Sequence, residues 1–155
     1  MMNIVLYQPE IPQNTGNIAR TCAITNTRLH LIKPLGFSIS DKAVKRAGLD
    51  YWDMLDLSVY DDFEDFVKKN NDPLCYLMTT HGDKNYADLA YPDNAFIVFG
   101  RETAGLPKEI HERYPETRFR IPMKDDPHAR SLNLANSANI VLFEALRQHD
   151  FYDLV

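Results

Sequence analysis

The sequence predicts an α/β fold in which a mostly parallel sheet is flanked by helices. Three observations carry this expectation. Short apolar segments recur along the chain and are too continuous for a sheet with one wet face. Segments with helical spacing and helix-end signals lie between them. The two kinds alternate from end to end, the order of a parallel sheet with helical crossovers.

Residues 3–7, NIVLY, form the first predicted strand, and the Pro-bounded stretch PEIP at 9–12 reads as its exit turn. A helix over 15–25 follows, with Asn14 as its cap. Ile18, Ala19, Cys22 and Ala23 make its apolar side, while Asn17 and Arg20 share another face at i,i+3 above the small Gly16. Strand 28–32 comes next. A helix over 41–47 is marked by Asp41 at its start and Gly48 past its end. The helix over 61–69 opens with acids and closes with lysines, matching the helix dipole. Strands 74–79 and 95–99 precede a helix at 107–113 that opens with Pro107. Strand 117–121 leads to the longest helix, 131–149, where Leu134, Ala138, Val141, Leu142, Ala145 and Leu146 recur at intervals of three and four.

The length of 155 residues fits a single domain, 1–155, with no repeat, linker or low-complexity segment. No apolar run approaches the roughly 20 residues of a membrane span, and Cys22 and Cys75 have no CxxC spacing. A cytoplasmic protein with reduced thiols is expected. The net charge of −5 argues against a general nucleic-acid coat, but two basic segments stand out: Lys42, Lys45 and Arg46, then Arg118, Arg120, Lys124, His128 and Arg130. The five histidines are too scattered for a zinc signature, so no metal is expected. The phosphate loop GxxxxGK[ST], the dinucleotide motif GxGxxG and the hydrolase elbow GxSxG are all missing from the chain.

Ligands of open α/β sheets sit beyond the carboxyl ends of the strands. Three strands here leave through unusual loops: MTTHG at 78–82, FGRETAGLP at 99–107, and IPM at 121–123 running on to RSLNLANS at 130–137. Glycine allows close approach of a ligand to backbone, and Pro122 fixes the exit path. The polar residues left for chemistry are Asn14, Asn17, Arg20, Glu102, Ser131, Asn133 and Asn136, with Asn133 and Asn136 again at i,i+3.

NTGNIAR at 14–20, FGRETAGLP and RIPM…RSLNLANS, in this order, resemble the three signature motifs of the SPOUT methyltransferases, most closely the minimal TrmL (YibK-like) group. The resemblance extends over nearly the whole chain, through LIKPLGF at 31–37, KRAGLDYW at 45–52 and FEALRQ at 143–148. It implies a fold whose C-terminal segment forms a deep trefoil knot, a homodimer, and S-adenosylmethionine as methyl donor. The activity implied is 2′-O-methylation of the wobble nucleotide of tRNA, position 34, a cytidine or modified uridine, with leucine tRNAs as substrates. Carried over by position, the cofactor site would comprise Met78, Thr79, Gly100, Glu102, Gly105, Ile121, Met123, Ser131 and Leu132. Arg20, Ser131 and Asn133 would serve catalysis, and Lys42, Lys45, Arg46, Arg118 and Arg130 would meet RNA. Many members of the family carry Arg where this chain has Ala104, and a shorter stretch than 124–129. Methylation of another tRNA or rRNA site, or an RNA-binding module without catalysis, stays open.

Overall fold

The computed structural model describes residues 1–40, 42, 46 and 49–155. Among the described residues seven strands form one sheet: β1 Asn3–Tyr7, β2 Arg28–Ile32, β3 Leu57–Tyr60, β4 Cys75–Met78, β5 Lys84–Asn85, β6 Phe96–Phe99 and β7 Arg118–Arg120. Their order is β3-β2-β1-β6-β4-β7-β5, and every neighbouring pair is parallel. From β1 the chain moves outward through β2 and β3, then crosses to build the other half. Because all strands point the same way, the exits of β1, β6, β4 and β7 line up side by side on one edge.

Helices α1 Pro12–Ile24, α2 Phe63–Lys69, α3 Lys108–Arg113 and α4 Leu134–Gln148 flank the sheet. Alternation along β1 sends Ile4 and Leu6 to one face and Val5 to the other. Ile4 and Leu6 pack with Ile18 and Cys22 of α1 and with Ala138, Val141 and Leu142 of α4. Val5 packs with Phe63 and Phe66 of α2 and Ile110 of α3. Both faces are therefore covered, which explains the continuous apolar strands. Ala135, Ala138, Val141, Leu142, Ala145 and Leu146 form the buried side of α4, with Leu134 only half-buried at its start. Among the described residues no helix is long and apolar enough to cross a membrane.

The predicted strands 3–7 and 28–32 match β1 and β2, and the other three lie within a residue or so of β4, β6 and β7. Two strands, β3 and β5, were not expected. Helix α1 starts at Pro12, three residues before the predicted 15. Pro12 takes the first helical position, where its missing N–H costs nothing. The residue before it, Ile11, is the cap and offers no side-chain hydrogen bond, so Asn14 is not the cap. In α2 the cap is Asp62, which accepts from the Asp65 amide. Of the predicted helix 41–47, Lys42 and Arg46 are helical and exposed. Lys45 lies outside the described residues.

Candidate active site

The exits of β1 and β6 are bound to each other by an exchange of carboxylates. Glu102, in the turn after β6, accepts from the backbone amides of Glu10 at 2.9 Å and Ile11 at 3.1 Å. These amides stand just ahead of α1, where a helix favours negative charge. In return, the Glu10 carboxylate accepts from the Thr103 amide at 3.1 Å and from the Thr103 hydroxyl at 2.8 Å. These Thr103 donors hold the Glu10 carboxyl below the usual carboxylate range, with the Arg101 charge adding to the effect. Arg101 also reaches Gln8 at 3.4 Å and lies 5.7 Å from the centre of the Tyr7 ring. On the other side of the Pro9–Glu10 backbone, Gly36 donates its amide to the Pro9 carbonyl at 2.9 Å. A Cβ at Gly36 would stand 2.7 Å from the Glu10 carbonyl oxygen, so only glycine fits there.

Asn14 joins a third segment to this pair. It is 5% exposed, inside the first turn of α1. Its amide nitrogen faces Glu102 at 3.5 Å, and its oxygen accepts from the Asn133 amide nitrogen at 2.9 Å. Asn133 is the cap of α4 and accepts from the Asn136 amide at 3.2 Å. The expected shared helical face of Asn133 and Asn136 is therefore replaced by a capping contact. The three motif segments meet at one asparagine.

Two glycines shape the turn after β6. Arg101 and Gly105 exchange backbone hydrogen bonds at 3.2 and 2.9 Å. A Cβ at Gly100 would collide with the Gly105–Leu106 backbone. Gly105 has φ +64, which an L side chain rarely adopts, and a Cβ there would meet nothing within 4 Å. Backbone is thus laid bare to open space at Gly105. At the neighbouring exits, Thr79 donates its amide to the Phe119 carbonyl at 2.9 Å, and Gly82 packs against the Phe119–Arg120 backbone with no room for a side chain. Met78 is buried, Thr79, Ile121 and Met123 are half-buried, and Ser131 and Leu132 are exposed. Leu132 is 39% exposed, an apolar side chain left at the start of α4. The stretch 124–129 has its own order: Asp126 accepts from the His128 amide at 2.9 Å and pairs with Lys124 at 3.0 Å.

Arg20 is exposed on α1. Its guanidinium lies 4.8 Å from the centre of the Tyr51 ring and donates to the Tyr51 hydroxyl at 3.3 Å. Tyr51 belongs to the short 3₁₀ segment Leu49–Met54. Among the described residues, no hydrogen bond joins Arg20 to the Asn14–Glu102–Asn133 network. Among the basic residues, Arg118 is half-buried and paired with Asp83 at 2.6 Å, whereas Lys42, Arg46, Arg120 and Arg130 are exposed.

Sequence reasoning passed over Glu10, Thr103 and Tyr51. The signal for Glu10 was an acid held between Pro9 and Pro12 at a strand exit. Tyr51 and Thr103 carried none, because their partners are brought in by the fold.

The SpoU rRNA methylase family model matches residues 1–143. A protein of Listeria innocua named putative tRNA (cytidine(34)-2′-O)-methyltransferase is 56% identical over 96% of this chain and 89% of its own. One of Methylovorus glucosotrophus, named tRNA (cytidine(34)-2′-O)-methyltransferase, is 51% identical over 97% of both chains. A solved structure from work on the 2-OH methylation of C/U34 on tRNA superposes with a TM-score of 0.90, at 41% identity over 97% of both chains. The AdoMet-bound rRNA methyltransferase of Sinorhizobium meliloti gives 0.82 at 25% identity, over 94% of this chain and 56% of its own. With the motif segments, the parallel sheet and this full-length similarity in agreement, the chain belongs to the SpoU methylase family.

Proposed function

We propose that this protein transfers a methyl group from S-adenosylmethionine to the ribose 2′-hydroxyl of the wobble nucleotide of tRNA, position 34, a cytidine or modified uridine. The observation that carries the reading is the meeting of the three motif segments at Asn14, beside backbone left bare at Gly105. Relatives named for the cytidine-34 reaction, similar along nearly all of the chain, favour tRNA over rRNA. Leucine tRNAs are the acceptors to try first.

The exits fit an adenosine-bearing methyl donor. Gly105 offers open main chain, and Leu132 and Ile121 offer apolar surface. Met78, Thr79, Gly100, Glu102, Met123 and Ser131 complete the assigned pocket. Glu102 contributes by shaping it, since its carboxylate is engaged at the start of α1. When bound, S-adenosylmethionine supplies a methyl already activated by its sulfonium, so positioning dominates catalysis. Arginine stays protonated under ordinary conditions. The role assigned to Arg20 is therefore to hold the 2′-oxygen or the adjacent phosphate and stabilise charge developing there. Ser131 and Asn133 are assigned to orient the arginine, the ribose or the methionine part of the cofactor. Lys42, Lys45, Arg46, Arg120 and Arg130 neutralise tRNA phosphates, and Arg118, paired with Asp83, does so to a lesser degree.

The reading includes a single domain over 1–155, a cytoplasmic protein, a C-terminal trefoil knot and a homodimer. Ile140 and Phe143, three apart on the outer side of α4, are 38% and 45% exposed and supply apolar surface for a partner copy. A direct competition tests the substrate class. Labelled S-adenosylmethionine is offered with tRNA lacking its wobble modification and with rRNA fragments. Label confined to tRNA supports the proposal, and label confined to rRNA overturns it.

A further inference from the structure

We propose that Glu10 is a positioning residue for the cofactor loop, its carboxylate holding the 101–105 turn in the shape that leaves Gly105 open. This rests on the methyltransferase reading of the site.

Thr103 sits at the middle of the turn. The Arg101–Gly105 backbone bonds close the base of the turn, but neither ties down its tip. The tip is held from outside, by Glu10 accepting from both the amide and the hydroxyl of Thr103, with the hydroxyl shared between the two carboxylate oxygens at 2.8 and 3.0 Å. Glu10 can do this because its own backbone is fixed. Glu102 binds its amide, and Gly36 packs against its carbonyl and Cα. The grip is therefore rigid at one end and aimed at the tip of the turn. Charge-assisted hydrogen bonds of this kind are stronger than neutral ones. A turn already in its binding shape loses less freedom when the ligand arrives, so affinity rises without new contacts. Glu10 acts through Thr103, which engages both its carboxylate oxygens, so its effect belongs in cofactor binding and not in the chemical step.

The experiment compares wild type with Glu10→Ala, Glu10→Gln and Thr103→Val. Titration calorimetry gives the affinity for S-adenosylhomocysteine, and steady-state assays with saturating tRNA give KM for S-adenosylmethionine and kcat. Thermal melts of each variant separate folding from binding. Glu10→Ala should weaken S-adenosylhomocysteine binding and raise KM by about tenfold, with kcat within about twofold. Glu10→Gln, which keeps one oxygen to accept from Thr103, should recover most of that loss. Thr103→Val, which keeps the amide, should fall between. A folded Glu10→Ala protein with wild-type affinity overturns the proposal, as does a fall in kcat at unchanged affinity. Wild-type protein that fails to bind S-adenosylhomocysteine overturns the cofactor reading as well, so the two failures are distinguishable.

Discussion

Asn133 donates a hydrogen bond of 2.9 Å to the side-chain oxygen of Asn14, across 119 positions of sequence. Through this contact the cap of α4 is fixed to the first turn of α1. Through the other end of Asn14 it is fixed to Glu102 in the turn after β6. One buried amide thus joins the first turn of α1, the turn after β6 and the start of α4. Asn14→Ala is expected to cost about 1–3 kcal/mol, because it leaves polar groups without partners. Asn14→Asp sets a second carboxylate beside Glu102 and should be less stable than Asn14→Ala at neutral pH, recovering on acidification. Denaturant unfolding at two pH values checks both.

Gly105 separates backbone strain from loss of the site. An alanine there takes φ +64 and costs about 1–2 kcal/mol of stability. Its Cβ enters space that is otherwise open, so cofactor affinity should fall by well over the roughly tenfold that such a stability loss represents. Calorimetry and thermal melting on Gly105→Ala measure the two effects independently. Equal binding by the variant would place the cofactor elsewhere.

His30 on β2 predicts an acid-sensitive fold. Its Nε2 lies 3.0 Å from the Asn3 oxygen, and its Nδ1 lies 2.8 Å from the Tyr60 hydroxyl. Asn3 spends its nitrogen on the carbonyls of Asn94 and Ala95, so its oxygen accepts and Nε2 carries the proton. The Tyr60 hydroxyl accepts from Asn70 and donates to Nδ1. The ring is held neutral with both nitrogens engaged. Burial lowers its pKa to about 4, with Asp56 opposing and Arg28 assisting. A depressed folded pKa means that the unfolded chain binds more protons. The stabilisation is full above about pH 6.5 and is lost as pH falls toward 4, by about 3 kcal/mol in all. Urea midpoints measured from pH 7 to pH 4.5 should fall accordingly, and a flat profile would remove His30 from this role.

Arg118 and Arg130 should differ in their contribution to RNA affinity. Arg130 is exposed, while Arg118 is committed to Asp83 at 2.6 Å. Wild-type affinity for tRNA should fall steeply from about 50 to 200 mM salt. Arg130→Ala should weaken binding and flatten that slope, and Arg118→Ala should do so less. Filter binding over a salt series decides this.

The central strands were readable because burial on both faces leaves an unbroken apolar run, as in β1. β3, LSVY, is a half-buried edge strand with a serine inside it, and β5 is the two residues Lys84 and Asn85, defined only by pairing with β7. Neither writes a hydrophobic pattern. The segments of the site were legible as glycine and asparagine clusters at strand exits. The wiring among them was not, since Glu10 meets Thr103 only after β6 has been laid beside β1. The contact of Arg20 with Tyr51 depends likewise on how the 49–54 segment folds back onto α1.

The most direct test is methyl transfer from labelled S-adenosylmethionine to tRNA lacking its wobble modification, with wild type and Arg20→Ala side by side and the label mapped by nuclease digestion. The expected result is label on the 2′-oxygen of nucleotide 34 with wild type, and loss of most turnover in the variant while its fold and cofactor affinity remain. Label at another position, or equal turnover by the two proteins, would contradict the assignment of the reaction or of Arg20.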